Sequence, residues 1–155
     1  MVKTPPSSDL SLRRLQADLL LALTRIRRQT ERLAGERLEA AKLEVTSAQA
    51  NAMLALFQAR RPMTARQLAE ALGVTEVTVA RFVKALEAGA WVARVPDPSD
   101  ARAMLLSPTK KARDALPRFI AVSNAMLDAA FAGFERAELD ALAAVVERIR
   151  ANLGA

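Results

Sequence analysis

Arg81 and Lys84 stand three residues apart in a segment that opens with Thr75 and Thr78. The chemistry on offer is that of cations and hydroxyls. A guanidinium can fork onto a guanine edge or a phosphate, and an ammonium meets phosphate as a point charge. Hydroxyls at a helix start sit beside backbone amides that also favour anions. Val77 and Ala80 lie between these groups and are small enough for close approach to thymine methyls. The remaining composition argues against catalysis. The 155 residues contain no Cys, no His and no Tyr. Thiol nucleophiles, disulfides, His-based proton transfer and Cys/His metal sites are therefore removed. Neither paired carboxylates nor a Gly-rich phosphate loop stands in their place. We expect no enzyme, no metal and no cofactor.

The elements that must position Arg81 and Lys84 can be read from local signals. Thr64 followed by Gln67 is a capping box, opening a short helix from Ala65 to Leu72. Gly73 allows a sharp turn. Thr75 caps the next helix, which runs to about Ala88 and ends at Gly89. Leu68 and Leu72 of the first helix can face Val79, Phe82, Val83 and Leu86 of the second. Two helices joined by the turn Gly73-Val74-Thr75 form a helix-turn-helix. The second helix then projects Thr75, Glu76, Val77, Thr78, Ala80, Arg81 and Lys84, far enough to enter a major groove about 12 Å wide. After Gly89 the periodicity changes to two: Trp91, Ala93 and Val95 alternate with Val92 and Arg94. The turn cluster Pro96-Asp97-Pro98-Ser99-Asp100 follows. Residues 102–106 can return as a second strand. This hairpin is a wing, and Arg94 on it joins the candidate DNA-binding set.

Long helices flank this unit. From about Ser11 to Ala41 the residues Leu12, Leu15, Leu19, Leu23, Ile26 and Leu33 recur mostly by threes and fours, and Leu20 and Leu21 widen the stripe. A helix of this length exceeds what one small globule can cover, so a second chain is expected to bury the excess. Another helix, capped at Thr46 or Ser47, reaches about Ala59, where Arg60-Arg61-Pro62 stops it. Beyond the wing, Pro108 or Thr109 opens a helix to about Phe131 with a kink expected at Pro117, and Glu135 opens a last one to about Asn152. The expected organisation is a flexible arm (1–9), an N-terminal dimerisation helix (10–45), a winged helix-turn-helix (46–107) and C-terminal dimerisation helices (108–155). The fold class is mainly α with a small β-hairpin wing.

The stretch from about residue 46 to 116 resembles the MarR family of bacterial transcriptional regulators. Three segments carry the likeness: Leu68-Ala69-Glu70-Ala71-Leu72-Gly73-Val74, then residues 78–87 from Thr78 through Arg81 to Glu87, then Asp97-Pro98-Ser99-Asp100-Ala101-Arg102. The last contains the family's Asp-x-Arg wing signature at Asp100 and Arg102. The resemblance implies a homodimer whose terminal helices interlock, and a recognition helix from Thr75 to Ala88. It implies that Arg102 enters the minor groove while Asp100 orients its guanidinium, a planar cation being favoured by the potential of a narrow groove. It further implies a pseudo-palindromic double-stranded operator, a repressor, and release by a small, often aromatic, acid bound between the dimerisation and DNA-binding lobes. The chain departs from the family where the second wing strand usually ends in Leu-Thr with Gly three residues later: Pro108, Thr109 and Ala112 stand there. The missing Cys and His argue against thiol-based peroxide sensing and zinc sensing.

Bland alternatives accompany each reading. Thr75 and Thr78 serve as helix-start residues whatever the function. Asp100 and Arg102 can form a plain turn salt bridge. Met53, Phe57 and Trp91 read as core, and Arg25, Arg27, Arg28 and Arg32 as a solvated face. The rival for the whole chain is a winged-helix protein-interaction module that binds no specific DNA. The net charge of +6 fits an acidic partner, yet most of it sits before residue 44, away from the presumed reading head. No signal peptide is read at the N-terminus, and the longest apolar run, Leu19–Leu23, is far below the ~20 residues of a membrane span. A cytoplasmic protein without membrane contact is expected.

Overall fold

The computed structural model describes residues 9–100 and 103–154. Six helices and one hairpin follow in the order α1 (Leu10–Ala40), α2 (Ser47–Ala59), α3 (Ala65–Leu72), α4 (Glu76–Ala88), β1 (Val92–Pro96), β2 (Met104–Pro108), α5 (Lys110–Ala130) and α6 (Arg136–Asn152). Each start has a local cause. Asp9 accepts from the Leu12 amide and opens α1. Reciprocal capping boxes open α2 and α3, Thr46 with Gln49 and Thr64 with Gln67. Thr75 and Thr109 accept from Thr78 N and Ala112 N to open α4 and α5. A cap of this kind is worth about 1 kcal/mol. Gly73 adopts φ 63° at the α3–α4 turn, the left-handed conformation in which glycine avoids the Cβ penalty.

The core lies beneath the helix-turn-helix. Met53 and Leu56 of α2, Leu68 of α3, Val79, Val83 and Leu86 of α4, and Leu106 of β2 are buried. Phe119 of α5 meets Trp91 edge-to-face at 5.6 Å between centroids, closing the core from the other side. From α1 only its C-terminal end joins, through Leu38. Arg118 of α5 fastens that end, donating to the carbonyls of Ala41 (3.0 Å) and Lys42 (3.4 Å).

The wing is an antiparallel pair with Arg94 opposite Leu106 and Val92 opposite Pro108. It gains a bridge that periodicity did not announce. Met63, between α2 and α3, exchanges both backbone hydrogen bonds with Leu106, at 3.1 and 2.7 Å. The hairpin is thereby tied to the helix-turn-helix on the side away from its tip. Pro108 closes β2, and the next amide, Thr109 N, bonds to Trp91 O at 3.0 Å. The strand exit is therefore orderly despite the proline, because the donor is lost only at the ladder's last pair. Helix α5 runs through Pro117 without ending there.

The end of α4 departs from the pattern expected at a glycine stop. Gly89 has φ −81°, and the left-handed residue is Ala90, φ 56°. Gly89 is needed for space instead. A Cβ there would stand 2.7 Å from Trp91 Cδ1. Lys111 completes the corner, donating to Gly89 O at 2.8 Å with its ammonium 4.2 Å from the Trp91 ring centroid.

Much apolar surface remains uncovered. Along α1, Leu12, Leu15, Leu19, Leu23 and Ile26 are exposed, and α6 has no buried residue while Leu142, Val145 and Val146 face solvent. Helix α1, with 31 residues, is about 46 Å long. No helix among the described residues is long and apolar enough to cross a membrane.

Candidate nucleic-acid interface

Helix α4 is two-sided. Val79, Val83 and Leu86, spaced by four and three, are buried against α2 and α3. The opposite side holds Glu76, Val77, Ala80, Arg81 and Lys84, all exposed. Val77 is 82% exposed. Single exposed apolar residues are common on protein surfaces; on this face, beside Arg81, Val77 is placed where it could meet thymine methyls.

The cations on this face are available. Neither Arg81 nor Lys84 belongs to any ion pair among the described residues. The Arg81 guanidinium lies 6.0 Å from the Phe82 ring centroid, a weak contact at the surface. Thr78 is half-buried, and its hydroxyl lies 3.0 Å from that of Thr75. Thr75 also accepts from Thr78 N at 3.2 Å. Both hydroxyls are thus positioned at the helix start, where the unpaired amides of the first turn carry partial positive charge. Glu76, in that same first turn, suits the helix dipole and opposes phosphate.

Arg94 is placed differently from the other candidates. It sits on β1 and forms a two-point ion pair with Glu87 of α4, Nε–Oε1 2.9 Å and NH2–Oε2 3.4 Å. It braces the wing against α4, a connection worth about 0.2–1 kcal/mol at this exposure. Its spacing to Glu87 is seven residues across a change of secondary structure, which no helical or strand period would flag.

The wing turn is organised by Asp97. Its carboxylate accepts from Ser99 N (2.8 Å) and Ser99 Oγ (2.6 Å). The Ser99 hydroxyl, then the Ser99 amide, hold the Asp97 carboxyl below the usual aspartate range. Asp97 N donates to Ala103 O at 3.0 Å, Asp100 N to Asp97 O at 3.3 Å, and Ala103 N to Asp100 O at 2.9 Å. Asp100 thus takes part in the turn through its backbone. Arg102 lies outside the described residues.

A cavity of about 220 Å³ opens between α1, α2 and α5, with Leu38, Ala50, Leu54, Phe119 and Met126 among its walls. Met53 and Trp91 are core as read, and Phe57 is half-buried. Arg27 pairs with Glu31, which borders that cavity, and Arg32 with Glu36.

Residues 40–103 match the model of the MarR family. The uncharacterized HTH-type transcriptional regulator YybA of Bacillus subtilis (strain 168) is 29% identical over 87 residues, 56% of this chain and 58% of that protein. The match therefore spans little more than half of that relative's length. The transcriptional regulator PA3341 shares the fold with TM-score 0.74 at 27% identity, over 88% of this chain and 98% of that one. A mutant MarR from E. coli complexed with operator DNA gives TM-score 0.74 at 21% identity, over 92% and 99% of the two chains. CouR from Rhodococcus jostii, bound to p-coumaroyl-CoA, gives 0.75 at 19%, over 87% and 93%. The last two likenesses are of fold.

Proposed function

We propose that the chain is a homodimeric repressor of the MarR family, whose model its residues 40–103 match. It binds a pseudo-palindromic operator and is released by a small ligand. The observation that carries this reading is the outer face of α4, where Val77 is 82% exposed beside the unpaired cations Arg81 and Lys84. In the major groove, Arg81 reads a guanine, Val77 and Ala80 approach thymine methyls, and Thr75, Thr78 and Lys84 meet phosphates. Glu76 remains at the helix start, where it can accept from cytosine. Arg94, held by Glu87, offers its remaining N–H to the backbone beside the wing. Arg102 enters the minor groove, oriented by Asp100.

The uncovered apolar stripe of α1 and the unburied α6 support the dimer. Each large side chain there gains about 1.5–3 kcal/mol when fully covered. Two recognition helices about 34–36 Å apart would then match successive major grooves on one side of the duplex. The cavity between α1, α2 and α5 supports ligand control, since it touches both the dimerisation helices and the core beneath α4. A ligand there acts only through different affinities for the DNA-competent and incompetent spacings.

Binding to the DNA upstream of its own gene, measured by fluorescence anisotropy across a salt series, tests the reading. A steep negative slope of log affinity against log salt is expected. A slope near zero would favour a protein-interaction module. Sedimentation should show a dimer that Leu19→Glu converts to monomer; an unchanged dimer would remove α1 from the interface.

A further inference from the structure

Helix α4 reaches its C-terminal end without a cation of its own. Its last turn holds no basic residue, and Glu87 in that turn carries the charge that the carbonyl end of a helix disfavours. Cations from two other elements stand there instead. Arg94 of β1 pairs with Glu87 at 2.9 Å. Lys111 of α5 donates from its ammonium to Gly89 O at 2.8 Å, across 22 residues. The cations of the i,i+4 pairs, by contrast, stay on the helix that carries their partner.

Lys111 does not act alone at this corner. Thr109 donates twice, from Oγ1 to Ala90 O at 2.7 Å and from its backbone N to Trp91 O at 3.0 Å. The successive carbonyls of Gly89, Ala90 and Trp91 thus all accept from the start of α5. The Lys111 ammonium also stands 4.2 Å from the Trp91 ring centroid, and the same indole meets Phe119 farther along α5. Helix α4 packs on α2, α3 and β1, and α5 packs on α1, α2 and β2; the corner ties the end of α4 to α5 directly. Beyond it, Arg118 donates to Ala41 O and Lys42 O at the end of α1. Helix α5 therefore grips α4 at one place and the end of the long helix α1 at another.

We propose that Lys111 is a positioning residue for DNA recognition: its ammonium, held on Gly89 O and the Trp91 ring, sets the angle of α4 relative to α5. It acts through α4 and touches no DNA. The corner is a fulcrum. At 1.5 Å per residue, Val77 stands about 18 Å along the helix from Gly89, and a tilt of about 10° at the corner moves it by about 3 Å. A displacement of that size removes a base contact, since a hydrogen bond is lost beyond about 3.5 Å. The hold on α4 stands independently; its consequence for operator affinity rests on the repressor reading above.

The test uses the full chain with Lys111→Met, which keeps the stem and removes the ammonium, and Lys111→Arg, which restores a cation and a donor. The chain has no Cys, so nitroxides attach only at Val77→Cys on α4 and Asp128→Cys on α5, both exposed positions. Electron paramagnetic resonance reads the distance between them without DNA, with the labelled chain diluted in unlabelled chain. Lys111→Met should shift or broaden that distance by about 3 Å, and Lys111→Arg should restore it; an unchanged distance would overturn the proposal. Operator affinity is then measured on unlabelled chains across a salt series. Lys111→Met should bind about threefold more weakly or worse, with the wild-type salt slope, and Lys111→Arg should recover the affinity. A slope shallower by about 0.9 would make Lys111 a phosphate contact, and wild-type affinity with a lowered melting temperature would make it a stabilising residue alone; either result overturns the positioning role. Should Lys111→Met lose its thermal transition, Lys111→Gln is read in the same way. A wild-type chain that binds no DNA, together with a distance that moves in Lys111→Met, refutes the repressor reading and leaves the hold on α4 standing.

Discussion

Replacing Arg81 by Ala isolates the reading face of α4 from its fold. The side chain is exposed and has no carboxylate partner, so no ion pair is broken by its loss. Alanine is also the better helix former. Stability should therefore change by less than about 0.5 kcal/mol. Binding should change more. A bidentate contact to guanine contributes about 1–3 kcal/mol of discrimination. Against this stands the contact with Phe82, 6.0 Å to the ring centroid, whose loss on docking costs about 0.5 kcal/mol at an exposed site. The net is about 0.5–2.5 kcal/mol, or roughly a 2- to 70-fold weaker operator complex. Anisotropy titrations at fixed salt, on the operator and on a variant with the guanine replaced, separate the two roles. A base contact predicts that the arginine variant no longer distinguishes these DNAs. A phosphate contact predicts uniform weakening and a salt slope shallower by about 0.9. Wild-type affinity with a wild-type slope would show that α4 does not present Arg81 to DNA, and the proposed orientation would fall.

Four further outcomes follow from the packing and from the wing turn. Gly89→Ala should cost about 1–3 kcal/mol and alter the near-ultraviolet signal of Trp91, because the new Cβ would be 2.7 Å from the indole; Ala90→Gly next to it should raise the melting temperature, since it relieves a left-handed alanine. Arg118→Ala should lose roughly 1 kcal/mol by freeing the carbonyls of Ala41 and Lys42, seen as a melting temperature lower by about 2–4 °C. Because the folded pKa of Asp97 is depressed, its contribution to the wing turn is present above the ordinary aspartate range and disappears as pH falls through the folded value. An NMR titration should find its midpoint below the ordinary aspartate range, and Ser99→Ala should move it upward; no movement would exclude the serine hydroxyl as the cause.

The helix-turn-helix was legible because its determinants are local. A capping box spans three residues, an amphipathic face repeats every three or four, and the left-handed turn at Gly73 needs one glycine. The same signals identified Val79, Val83 and Leu86 as the inner face of α4 and left Val77, Arg81 and Lys84 outside. Gly89 shows where this reading stops. A glycine after a helix suggests a left-handed cap, but the constraint comes from the Trp91 indole folding back over it, and the left-handed residue is Ala90.

Arg94 and Glu87 bring out the same division. Seven residues and a change of secondary structure separate them, so no period relates them, and only the angle between α4 and β1 sets their ion pair. The Met63–Leu106 bridge joins residues 43 positions apart, and Arg118 reaches a carbonyl 77 residues away. Sequence alone thus determined which elements form, where they begin and which face of α4 is free, since these depend on neighbours along the chain. Tertiary structure decided the one ion pair among the described residues that does not join helical neighbours three or four apart. It braced Arg94 against Glu87 and brought Lys111 to the carbonyl end of α4, because side-chain electrostatics depends on distance through space.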